Sequence, residues 1–185
     1  MTQMSWIVDL RERLAVPPPR GLATEGARQA ALVPLFVDGG ELWVLLSRTD
    51  EELVPGAATL QSSPILPDEE PWQAAERCAA AIGADPAGLL RLGMLDAVPE
   101  PSGDVWIPCV AAVKALQSRD EIRRVGTPVR LPLRAARAPN LLEERLVSVH
   151  GAETWVTVGH FGPVKLAGAE LEIVELLLER LFRDG

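Results

Sequence analysis

The feature that most limits how this chain can fold is a pair of apolar, strand-type runs, Ala30 to Val37 and Glu41 to Arg48, separated by Asp38-Gly39-Gly40. Glycine accepts the positive φ that primed or bulged hairpin turns demand, so this pattern predicts two antiparallel strands joined by a tight turn. The run Leu42-Trp43-Val44-Leu45-Leu46 is almost continuously apolar. A strand of that kind is buried on both faces, which calls for a mixed sheet with helices packed on each side. With 185 residues, 48% of them apolar, the chain can fill one core. The expectation is a single domain over 1–185, with an N-terminal helix and linker in 1–27 and the core in 28–185.

Helical periodicity supplies the covering layers. Near the N-terminus Ile7, Leu10 and Leu14 recur on one side beside Trp6, and Pro17-Pro18-Pro19 removes the N–H donors that would continue the helix. A packing helix is expected there, with a partner-binding helix as the alternative. At the other end, Gly168 to Phe182 carries Leu171, Val174, Leu178 and Leu181 at helical spacing, with Glu172, Glu175, Glu179 and Arg183 on the wet side. Between them, Ala57 to Leu66 is strand-like, but Pro64 and Pro67 restrict it to an edge. Asp68-Glu69-Glu70-Pro71 then opens a helix, because carboxylates suit the positive end of the helix dipole and proline suits the first turn. Trp72, Ala75, Ala79 and Ile82 share a face of that helix, and Gly83 is a credible cap at its end.

Further strands are expected at Leu92 to Val98 and Val105 to Leu116, as a second hairpin around the loop Pro99 to Asp104, and at Glu121 to Val125. Leu131 to Ala136 reads as a short helical step. Arg145 to Val149 and Thr154 to Val158 form a third hairpin around Gly151-Ala152-Glu153.

Composition narrows the function. A net charge of −8 argues against a nucleic-acid partner, which would demand clustered Lys and Arg. Cys78 and Cys109, far apart among apolar neighbours, make neither a disulfide framework nor a metal-ligand spacing, and read as small buried hydrophobes in a reducing compartment. No signal-peptide pattern opens the chain, and no run approaches the roughly 18 apolar residues of a membrane span, so a cytoplasmic protein without membrane partners is expected. His150 and His160 stand beside no nucleophile motif, and neither a GxSxG elbow nor a GxxxxGK[ST] loop is present. Asp50, Glu51 and Glu52 read as a solvated loop; gathering of a hard cation is the alternative.

The segments LVPLF, LWVLLSR, the helix ending in IGADP, LLRLGMLD, PSGDVWIPCV and HFGPVKLAGAELEIVELLLERL together resemble the Nudix hydrolases, and among them the coenzyme A pyrophosphatase branch, from about Arg28 to Phe182. The resemblance implies an α+β, α/β/α sandwich. The family's box is a glycine, five residues, a glutamate, seven residues, Arg-Glu, an aliphatic residue, any residue, Glu-Glu, any residue, a glycine and an aliphatic residue. Aligned without a gap back from Gly83, its first glycine falls on Ser62, its first glutamate on Asp68, its Arg-Glu pair on Glu76 and Arg77, and its Glu-Glu pair on Ala80 and Ala81. A second register, one residue shorter, matches Glu69 and Arg77 and puts Cys78 at the glutamate.

In the family, three carboxylates at the positions of Arg77, Ala80 and Ala81 share one helix face and hold a divalent cation against a diphosphate. Arg77, Ala80 and Ala81 cannot do this. The box is therefore degenerate, with Asp68, Glu69, Glu76, Arg77, Ala80 and Ala81 marking its positions. No cofactor is expected, and no metal site. What the resemblance then implies is a ligand-binding or interaction module, with Arg48 and Arg77 as the candidate contacts for a phosphate-containing small molecule, and a homodimer as the candidate assembly. The alternative is a hydrolase of a nucleoside-diphosphate-linked substrate such as coenzyme A, with Mg2+ or Mn2+ held by displaced carboxylates.

Overall fold

The computed structural model describes residues 3–15, 20, 26–48, 54–113 and 127–182, with side chains from residue 6 onward. The strand expected at Glu121 to Val125 lies outside the described residues, as do Asp50, Glu51, Glu52, Pro17 to Pro19 and Arg183.

The predicted first hairpin forms. Strands β1 (Arg28–Asp38) and β2 (Glu41–Arg48) pair antiparallel, with Asp38 opposite Glu41, so Gly39 and Gly40 are the whole turn. Both have positive φ, 59° and 80°, the conformation a two-residue turn of this hand requires. On its other edge β1 runs parallel to β6 (Val105–Ala112), and its first half also pairs with β3 (Gln61–Pro64). Strands β4 (Leu90–Met94), β5 (Val98–Pro99) and β7 (Thr127–Pro132) complete a seven-stranded mixed sheet in the order β4-β6-β1-β2-β7, with β3 on β1 and β5 on β6. A smaller antiparallel sheet contains β8 (Leu141–Val149), β9 (Ala152–Phe161) and β10 (Val164–Ala167), in the order β10-β9-β8.

Helices cover both faces of the larger sheet, as the apolar β2 run demands. Helix α2 (Pro71–Ala81) lays Ala74, Ala75, Cys78 and Ala79 on Ala30, Leu32, Leu45, Cys109 and Ala111. On the opposite face α1 (Gln3–Ala15) and the C-terminal helix α4 (Ala169–Leu181) bring Leu10, Leu14, Ile173, Val174, Leu177 and Leu181 against Ala31, Val33, Leu35, Val44 and Leu46. Alternate residues of β1 and β2 thus serve different cores. Burial raises both thiols, Cys78 to about 11 and Cys109 to about 12, and each is a packed apolar group.

Several details differ from the sequence reading. Leu131 and Pro132 close strand β7, and the helical step is the single turn α3 (Leu133–Ala136). The run Leu92 to Val98 is two strands, because the chain leaves the ladder between Met94 and Val98. The third hairpin is longer than its most apolar stretch: β8 and β9 close at Val149 opposite Ala152, and the turn is His150-Gly151, both with positive φ. Arg180, three residues on from Leu177 and so on the packed side of α4, is only 5% exposed and reaches Asp96 at 3.1 Å.

Candidate functional site

The stretch from β3 through α2 holds all the candidate box positions. Leaving β3, the chain turns at Leu66 to Glu70, with Asp68 at φ 64°, a left-handed position that aspartate tolerates better than most side chains. Asp68 is exposed in this turn. Glu70 caps the helix, its N–H donating to Gln73 Oε1 at 2.9 Å, and Pro71 fills the first helical position, where a missing N–H costs nothing. At the far end Gly83 has φ 70° and donates to the Ala80 carbonyl, ending the helix at the glycine that anchors the ungapped register.

Around this helix, the side chains sort by angle. Ala74, Ala75, Cys78 and Ala79 face the sheet, while Arg77 and Ala80 are exposed and Ala81 is half-buried. Cys78 is buried, with Sγ 3.6 Å from the Ala74 carbonyl, so the shorter register would put a box glutamate into the core. The ungapped register instead leaves Arg77, Ala80 and Ala81 on the side away from it.

Arg77 is fully committed. Its guanidinium donates to both Glu69 carboxylate oxygens, to the Pro64 carbonyl at 2.6 Å and to Ser63 Oγ at 3.3 Å. Glu69 in turn accepts the Leu66 N–H at 2.8 Å. The hydrogen bonds from Arg77, then that from Leu66, hold the Glu69 carboxyl below the ordinary carboxylate range. One arginine in the second turn of α2 thereby fastens the end of β3 and the helix entry together.

Glu76 points elsewhere. It accepts two hydrogen bonds from Arg91 of β4, at 2.6 and 3.1 Å, and the Arg91 guanidinium lies 5.4 Å from the Trp72 ring centroid. Glu69 and Glu76 are therefore in separate ion pairs, and among the described residues no three His, Cys, Asp or Glu side chains gather as a cation site.

Arg48 and Arg77 are not brought together. Arg48 follows Val44 and Leu46 on the α4 face of β2, where its Nη2 donates to the Pro163 carbonyl at 3.3 Å. Its Nε is buried without a hydrogen-bond partner among the described residues. Arg77 belongs to the α2 face. Two large cavities, about 670 and 660 Å³, lie away from α2: one between α1, the β1–β2 turn and Arg137, the other between Trp155, Leu171 and Pro101.

One polar group escaped the sequence reading. Thr59 Oγ1 donates to Glu170 at 2.5 Å, and burial pushes the Glu170 carboxyl up to about 7. Nearby, Glu100 is also raised by burial, and Gln29 bridges Asp104 at 2.7 Å and Ser62 at 3.1 Å. The only sequence signal was polarity itself: a glutamine opening an apolar strand, and an acid beside Gly168 that reads as an ordinary first-turn residue.

No family model matches the sequence, and no curated protein matches it. Solved structures do. The NUDIX domain of Shewanella oneidensis NrtR complexed with ADP ribose superposes with a TM-score of 0.56 at 19% identity, over 98% of this chain and 99% of that one. A MutT/nudix family protein from Enterococcus faecalis gives 0.50 at 13% identity, over 95% of this chain and 68% of that one. The fold is thus Nudix-like: a mixed sheet between helical layers.

Proposed function

We propose that this chain is a Nudix-fold ligand-binding or interaction module, akin to the coenzyme A pyrophosphatase branch, that has lost metal-dependent diphosphate hydrolysis. The observation that carries the reading is Arg77. Where the box needs a carboxylate for a divalent cation, this helix presents a guanidinium, and the nearest acid, Glu69, neutralises it. A hard cation seeks free oxygen ligands, and Glu69 and Glu76 are each already paired with an arginine. Ala80 and Ala81 offer no ligand atoms. Losing metal-centred charge stabilisation removes what is often the largest catalytic term.

A phosphate-bearing small molecule remains the ligand class of choice. Arg48, whose Nη2 is tied to the Pro163 carbonyl and which pairs with no carboxylate among the described residues, is the candidate donor, whereas Arg77 would have to leave Glu69 to meet an anion. ADP-ribose, present in the NrtR domain structure, is the first compound to try.

The test is incubation with ADP-ribose, coenzyme A and a dinucleotide polyphosphate, with and without Mg2+ or Mn2+, followed by product analysis and by a binding titration of each compound. The expected result is no metal-dependent turnover. Metal-dependent cleavage that disappears in Glu69→Gln or Glu76→Gln would instead establish the hydrolase.

A further inference from the structure

Four of the eight large apolar side chains exposed among the described residues sit on one hairpin: Leu141, Leu142 and Leu146 of β8 and Trp155 of β9. Trp155 is 65% exposed and lies directly opposite Leu146. Among the described residues β8 pairs only with β9, so a nine-residue strand forms an open sheet edge. Open edges are normally blunted by short length, charge, proline or a bulge, because their free N–H and C=O groups recruit another strand. This edge is long, regular in register and free of proline.

The strand is also self-complementary. In a two-residue hairpin the closing pair, here Val149 and Ala152, exchanges hydrogen bonds, and alternation along the ladder then turns the backbone groups of Leu142, Glu144, Leu146 and Ser148 outward. A two-fold axis normal to the sheet at Glu144 places those outward groups face to face. In that register Leu142 meets Leu146 of the second copy, Leu141 meets Val147, and Glu143 meets Arg145, each pair occurring twice. Opposite charges and apolar pairs directly across an antiparallel ladder are the stabilising combinations. Within one chain Arg145 already donates to Glu143 at 2.8 Å, so both groups stand in place. Two features oppose this pairing: Glu144 meets its own copy, although its carboxylate accepts a hydrogen bond from Thr157 at 2.7 Å, and Glu143 must share its bonds to Arg145 and, at 2.9 Å, to His160 of its own chain.

We propose that β8 is a homodimer interface, in which two copies pair antiparallel about Glu144 and join their three-stranded sheets into one of six strands. The closed two-fold arrangement uses the same patch on both chains and leaves β10 strands at the outer positions. It goes beyond the proposed function and does not depend on it, since α2 takes no part.

The test is the mass of the full chain by light scattering after size exclusion, across a concentration series. The expected result is a dimer that becomes a monomer in Arg145→Glu, where two Glu–Glu pairs replace the Glu–Arg pairs. The double variant Glu143→Arg with Arg145→Glu restores opposite charges and should recover the dimer. Circular dichroism checks that each variant is folded. Glu144→Cys supplies an independent reading: a disulfide-linked dimer forms under mild oxidation, as the native Cys78 and Cys109 are buried. A wild-type chain that stays monomeric at every concentration, a dimer indifferent to Arg145→Glu, or failure of both the double variant and the Glu144→Cys cross-link overturns the proposal.

Discussion

The two faces of the main sheet are closed in opposite ways. On one, α4 buries leucine, isoleucine and valine against Val33, Leu35 and Leu46. On the other, α2 offers three alanines and a cysteine to Ala30, Leu32 and Ala111. Alanine faces let a helix lie close to a sheet but remove little apolar area from water, so α2 gains far less from burial than α4. The polar ties of Arg77 to Glu69 and Pro64, and of Glu76 to Arg91, compensate at its outer side. The lesson is that the charged groups on the outer side of α2, Glu76 and Arg77, serve to dock the helix itself.

Substitutions that reverse each face sharpen the contrast. Leu177→Ala, at a fully buried position of α4, should lower unfolding free energy by about 2–5 kcal/mol in a denaturant titration, through lost transfer energy plus a cavity. Ala79→Leu, in the tight α2 layer, should lower it by about 1–3 kcal/mol from overpacking. The same alanine-to-leucine change at exposed Ala80 should leave stability almost unmoved.

Carboxylates on the two faces respond to pH with opposite sign. Glu170 has a folded value raised from 4.5 to about 7, so the folded state binds the extra proton and stability falls as pH rises through that interval. Glu170→Gln should flatten this slope and melt above the wild type at pH 8. Glu69 has a lowered folded value, so its contribution is present above about 4.5 and is lost as pH falls below it. Glu69→Gln should accordingly cost stability at neutral pH, and the difference should vanish in acid. Thermal melts across pH read both. Arg77→Ala leaves the core intact and should show mainly as faster amide hydrogen exchange from Ser63 to Glu70, with a global stability change below that of Leu177→Ala.

How much of this was legible in the sequence follows from what leaves a local signature. The Asp38-Gly39-Gly40 turn, the leucine-rich α4 and the Glu70-Pro71 helix start are local, and all three stand where the pattern put them. Strand β7 was missed because Leu131 and Pro132 read as the start of a helical step and Pro128 interrupts the pattern before them; it tolerates both prolines because among the described residues it pairs along one side only, with β2. Strand β10, four residues after a Gly-Pro turn, is too short to show alternation. Ala74 was left off the buried face of α2 because alanine gives a hydrophobic wheel little contrast. The Arg77–Glu69 bridge spans eight residues, outside the i, i+4 spacing of helix pairs, and exists only because the loop folds back on the helix. The candidate positions were thus readable, but not their mutual neutralisation.

The central claim is that a guanidinium-centred tie occupies the place of a metal site on α2. Mn2+ binding, followed by the loss of free Mn2+ resonance signal and by calorimetry, tests it most directly. The account predicts no stoichiometric site in the wild type, and the appearance of one in Arg77→Glu combined with Ala80→Glu and Ala81→Glu. A wild-type site of one ion per chain, weakened by Glu69→Gln or Glu76→Gln, would contradict it.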